Sequence, residues 1–171
     1  MNTTTNQAIV VLGMGNPLLC DDSIGLHVLQ CARRELSGME GVSFKENFSG
    51  GLDLLYDVMD FDQAIIIDCI QTGNAEAGTC REFPLSALKG LSHDRLVHAH
   101  GVGLLETLEI GEHLGYRMPR EVVILGIEGD DLTSFSTNPT PRVGQCVAAA
   151  IELIQKRLSS WLPEETFTGT I

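Results

Sequence analysis

The chain has 171 residues, 43% hydrophobic and 20% charged, with a formal net charge of −12, a composition that fits one globular domain with a single good core. That acidic balance excludes a nucleic-acid binder, which needs a basic footprint, and gives no attraction to an anionic membrane surface. The opening MNTTTNQ is neither a signal nor a transit peptide, no apolar run reaches the length of a membrane span, and Cys20, Cys31, Cys69, Cys80 and Cys146 form no CxxC pair.

In chain order, Ile9-Val10-Val11-Leu12 is an apolar, β-branched run that reads as a buried parallel strand. It breaks at Gly13-Met14-Gly15-Asn16-Pro17, a sharp turn followed by the acidic pair Asp21-Asp22 and an amphipathic helix with Ile24, Val28 and Ala32 on its inner face. Val42-Ser43-Phe44 opens a second strand, and Leu52, Leu55 and Met59 space a short second helix. Ala64-Ile65-Ile66-Ile67-Asp68 is the clearest strand, apolar throughout and therefore central, with Asp68 closing its carboxyl end. Gly78 to Phe83 alternates and reads as a more exposed, antiparallel strand. A polar segment with His93, His98 and His100 leads into a helix over 101–114. Glu121 to Glu128 is another buried strand, and Gly129-Asp130-Asp131 begins a loop rich in Ser and Thr. A final helix starts with Thr140 as N-cap and Pro141 at its first position, with Val143, Val147, Ala150, Ile151 and Ile154 as its stripe. Strands alternating with helices predict a three-layer α/β/α sandwich around a mostly parallel sheet of about five strands. We expect one domain over 1–171, with 1–7 and 163–171 as flexible termini.

Ligands in open α/β sheets bind beyond the carboxyl ends of the strands, so the first loop lies where chemistry is usually done. Gly13-x-Gly15 invites a dinucleotide reading, but the third glycine that motif needs is replaced by Leu18. Glu46 is only a weak ribose-binding candidate, and a tight turn accounts for both glycines. Taken alone, Asp21 and Asp22 read best as helix N-caps. Asp68 changes that weighing, because a carboxylate closing a central apolar strand must end in water, a hydrogen-bond network or a metal site. Parallel neighbouring strands bring it near the Asp21-Asp22 loop. A histidine at the mouth of the next helix, for which His100 is better placed than His98, would complete one imidazole and two carboxylates. Such a set suits a borderline divalent ion and leaves coordination positions open. Neither HExxH nor GxSxG is present.

Three stretches carry a resemblance. Leu12-Gly13-Met14-Gly15-Asn16-Pro17-Leu18-Leu19-Cys20-Asp21-Asp22-Ser23-Ile24-Gly25, then Ile65-Ile66-Ile67-Asp68-Cys69, then Ala99-His100-Gly101-Val102-Gly103-Leu104 resemble, in order and context, the motifs of the nickel–iron hydrogenase maturation endopeptidases. The resemblance implies a cytoplasmic α/β endopeptidase that removes a C-terminal peptide from the hydrogenase large-subunit precursor after nickel insertion. It also implies that Asp22, Asp68 and His100 are the catalytic and metal-contacting residues. The chain departs from the family pattern at Glu46-Asn47-Phe48-Ser49-Gly50-Gly51 and at Gly129. Nickel is then cargo of the substrate, weakly held by the free enzyme, since two oxygens and one nitrogen without a thiolate grip a free ion modestly. Gly15 and Asn16 would let the substrate backbone approach. The expected partner is that precursor; we expect a monomer that engages neither nucleic acid nor membrane. Two other classes remain open: a metallohydrolase of another substrate with its own ion, and a non-catalytic metal-sensing or chaperone module.

Overall fold

Five strands form one sheet in the order β2-β1-β3-β5-β4. The computed structural model describes residues 8–88 and 101–162; His93, His98 and His100 and the expected flexible termini lie outside them. β3 (Gln63–Ile70) is buried along its whole length and holds the centre, paired in parallel with β1 (Ile9–Met14) and β5 (Glu121–Glu128). β2 (Val42–Asn47) pairs in parallel on the outer side of β1. β4 (Cys80–Pro84) closes the other edge, antiparallel to β5. Its alternation and partial burial are those of an edge strand, which has one face against the core.

Side chains alternate across the sheet and feed two cores. On one face Ile9, Val11, Ile65, Ile67, Leu125 and Ile127 pack under α1 (Ile24–Glu35) and α5 (Val147–Trp161). On the other, Val10, Leu12, Ala64, Ile66 and Ile124 pack under α2 (Gly51–Val58) and α3 (Gly101–His113). Each large aliphatic side chain buried this way contributes about 1.5–3 kcal/mol. The result is the expected α/β/α sandwich. Among the described residues no helix is long and apolar enough to cross a membrane.

The predicted final helix is two helices. A short α4 (Pro141–Gly144) begins after Thr140, and α5 follows a turn at Gln145 and Cys146. The Cys146 N–H donates to Val143 O at 3.0 Å, a three-residue spacing that tightens the chain beside the helix-weakening Gly144. Both turn residues keep right-handed helical angles, so the apolar stripe crosses the break almost undisturbed.

Candidate active site

Local sterics decide how the first loop meets the sheet. Gly15 has φ +141°, and a Cβ there would lie 1.9 Å from the Asp22 carbonyl oxygen. A Cβ on Gly25 would lie 2.3 Å from Met14 O and 2.6 Å from Ile67 O. These two glycines let the start of α1 lie directly across the carboxyl ends of β1 and β3. Gly15 is therefore buried against the Asp22 backbone. Gly13 is a strand residue rather than a turn residue.

Asp22 and Asp68 both sit at this edge, 6% and 5% exposed. The Asp22 Oδ2 accepts the Asn16 N–H at 2.8 Å, and the Asn16 Oδ1 accepts the Leu18 N–H at 3.0 Å. Gly13 pairs with Ile67, so Asp68 lies one step beyond, on the sheet face covered by α2 and α3. Just after α3, Arg117 O accepts the Asp60 N–H at 2.8 Å at the amino edge of the sheet. α3 thus runs back from the carboxyl edge, and Gly101 begins it there. His100, the residue before Gly101, is outside the described residues. Among those described, no three His, Cys, Asp or Glu side chains form a metal-holding group.

Asp21 does something different from its neighbour. Fully buried, it accepts N–H bonds on Oδ2 from Asp130 at 3.0 Å and Asp131 at 2.9 Å, and on Oδ1 from Thr140 at 2.6 Å. The Thr140 hydroxyl adds a bond at 3.2 Å. Neither the 3₁₀ turn at Asp21–Ser23 nor α1 has a side-chain cap, which overturns the N-cap reading of Asp21 and Asp22. Asp21 instead fastens the loop after β5 to the loop after β1. Leu19 also bridges Phe135, and Ser134 O accepts the Cys20 N–H at 3.0 Å.

Two further residues shape the edge without having been singled out. Glu128, 4% exposed, accepts the Thr72 and Gly73 N–H groups at 2.8 Å each and the Thr72 hydroxyl at 2.8 Å. Glu128 is the last residue of a buried strand, the position expected of Asp68, whereas β3 runs on past Asp68 to Ile70. Asn47 turns the β2–α2 loop, accepting the Gly50 N–H at 2.7 Å and donating to Asp57 at 2.9 Å. Glu46, the weak ribose candidate, lies 3.8 Å from the Arg33 guanidinium on α1. The acids form one electrostatic neighbourhood. Burial pushes the Cys69 thiol up, and Asp68, Asp22, Asp21 and Glu128 all push it further.

Comparison with known proteins gives a consistent picture. The sequence profile of the hydrogenase maturation protease family (HycI) matches residues 40–157. The hydrogenase expression/formation protein HupD of Rhizobium leguminosarum bv. viciae is 26% identical over 153 residues, covering 90% of this chain and 75% of that protein. The hydrogenase 2 maturation protease of Escherichia coli K12 is 25% identical over 146 residues, covering 85% and 87%. Among solved structures, the E. coli hydrogenase maturating endopeptidase HybD superposes with a TM-score of 0.75 at 24% identity, covering 91% of this chain and 94% of that one. The Thermococcus kodakarensis HybD does so at 0.66 and 21%, covering 88% and 99%. At those identities the structures establish the shared fold.

Proposed function

The chain belongs to the hydrogenase maturation protease family, and on that footing we propose that it is an endopeptidase cutting the C-terminal peptide from the nickel-loaded large-subunit precursor of a nickel–iron hydrogenase. Asp22, Asp68 and His100 contact the substrate's nickel and so recognise a precursor ready for processing. The observation that carries this reading is the carboxyl edge itself, where Asp22 and Asp68 come from different strands' ends and neighbouring acids are occupied in holding loops. Two carboxylates and an imidazole suit a borderline divalent ion and leave positions for the ligands the substrate supplies. Hydrolysis needs a water and a base: a carboxylate of the set would take the water's proton, and the substrate's nickel would supply Lewis-acid polarisation when bound there. The protein works in the cytoplasm, where the precursor is made.

The test is to incubate purified protein with nickel-loaded and nickel-free precursor and weigh the products by mass spectrometry. Loss of one C-terminal peptide from the loaded precursor alone, barely affected by added chelator, is the expected result. Efficient cutting of metal-free precursor by metal-free protein would overturn the nickel-reading role. Tight, stoichiometric metal in the purified protein would favour a metallohydrolase with its own ion.

A further inference from the structure

Beside the carboxyl end of β5, on the α1–α5 face, two segments of chain run side by side. The Arg142 guanidinium reaches Glu76 Oε2 at 3.0 Å. A Cβ on Gly78 would lie 2.7 Å from Arg142 O and 3.6 Å from Val143 Cα, so the backbones there are in contact. The next pair along is Cys80 and Cys146. The Cys80 thiol lies 3.9 Å from Cys146 O and 3.8 Å from Gly78 O, and Cys80 packs half-buried against the core that contains the buried Cys146. We infer that Cys80 and Cys146 are an oxidative modification site, where a hydroperoxide forms a disulfide that clips β4 to the start of α5.

The two thiols are not equivalent. They share a hydrogen bond that holds Cys80 below the ordinary thiol range and pushes Cys146 above it, with burial adding to the rise at Cys146. Cys80 is also the more accessible of the two, so its sulfur is the one a peroxide meets first. The Cys80 thiolate attacks one peroxide oxygen and breaks the O–O bond, giving a sulfenic acid and, after protonation of the leaving oxygen, one water (an alcohol from an organic hydroperoxide). The Cys146 sulfur then attacks the Cys80 sulfur, the S–S bond forms as the S–O bond breaks, and the hydroxyl leaves with the Cys146 proton as a second water. Two thiols are oxidised and one peroxide is reduced. Disulfides of reduced compartments are characteristically transient and redox-sensing, and this one would be reversed by thiols. The clip would also anchor the α4 segment behind Thr140, whose N–H holds Asp21.

The experiment treats the full chain with hydrogen peroxide, blocks remaining thiols with an alkylating agent, and maps the peptides by mass spectrometry. The expected product is monomeric, about 2 Da lighter, with a Cys80–Cys146 cross-linked peptide that dithiothreitol removes. Cys31, half-buried on α1, should remain fully alkylatable as the internal control. The Cys80→Ser and Cys146→Ser variants should each lose the cross-link, and Cys80→Ser should also lose the reaction with peroxide. Over-oxidation of Cys80 with Cys146 still alkylated, cross-linking between two molecules, or earlier loss of Cys31 would each overturn the inference. The wild-type peptide map decides by itself should either serine variant fail to fold.

Discussion

The two edges of the sheet treat their acids in opposite ways. At the amino edge, Asp62 accepts the Ala8 N–H at 3.1 Å and is gripped by the Arg117 and Arg120 guanidiniums at 2.7 and 3.3 Å. Its carboxyl is held below the usual range, by the Ala8 N–H first and Arg117 next. At the carboxyl edge, Asp21, Asp22 and Glu128 are more deeply buried. Among the described residues none of those three pairs with a lysine or arginine. Their partners are backbone N–H groups and hydroxyls. Asp62, which clasps the fold at the amino edge, is neutralised by two guanidiniums. Acids fixed by backbone donors keep the local field negative, which is the condition for receiving a metal cation. Within the carboxyl edge, Asp21 has both oxygens occupied by the protein. Among the described residues Asp22 has one hydrogen bond, from Asn16, and so keeps capacity for a ligand.

The largest effect should come from removing Asp22. Asp22→Ala gives up one charge-assisted bond, about 1.5–3 kcal/mol of stability, and should abolish precursor cleavage while a far-ultraviolet spectrum and a denaturant curve still report a folded protein. Global unfolding would return Asp22 to a purely structural role. Asp21→Ala is next and should act on the fold. It removes a buried carboxylate that holds three N–H groups and a hydroxyl, so more than about 3 kcal/mol should be lost in urea unfolding. Equal stability of the two alanine variants would erase the distinction drawn between the neighbours. Glu128→Gln keeps the shape and one accepting oxygen, and should cost only about 1 kcal/mol, visible as a small drop in the denaturation midpoint. The smallest effect belongs to the amino edge. Because Asp62 is depressed in the folded state, its contribution is present above the unfolded carboxylate range and is lost as pH falls through the lower folded value. Thermal unfolding between about pH 5 and pH 2 should therefore be less pH-dependent in Asp62→Asn than in the wild type. Identical slopes would mean that the arginine clasp does not stabilise the acid.

What the sequence revealed follows from the range of the interactions. β3 and β5 are legible because strands covered on both faces need unbroken apolar runs, and Asp68 is legible because it interrupts one. β4 is legible by its alternation. The partners of Asp21 are not, since Asp130, Asp131 and Thr140 are more than a hundred residues away in sequence. An acid before a helix looks the same whether it caps that helix or ties down a distant loop. The break before α5 is hidden for a different reason: a turn that keeps helical angles leaves the hydrophobic period intact. The sterics that bury Gly15 also need three dimensions, because the neighbouring atom is the carbonyl of Asp22. The third member of the proposed set, His100, rests on the family resemblance and its place before α3.

The most direct measurement is the preference for nickel itself, read as the affinity for loaded precursor divided by that for nickel-free precursor. It is taken at low temperature before turnover, for the wild type and for Asp22→Ala and Asp68→Ala. The account predicts that the wild type prefers the loaded precursor and that each variant binds both forms equally, at the wild type's affinity for the nickel-free form. A variant that keeps the full preference while lacking the carboxylate would contradict the assignment of that residue to the metal.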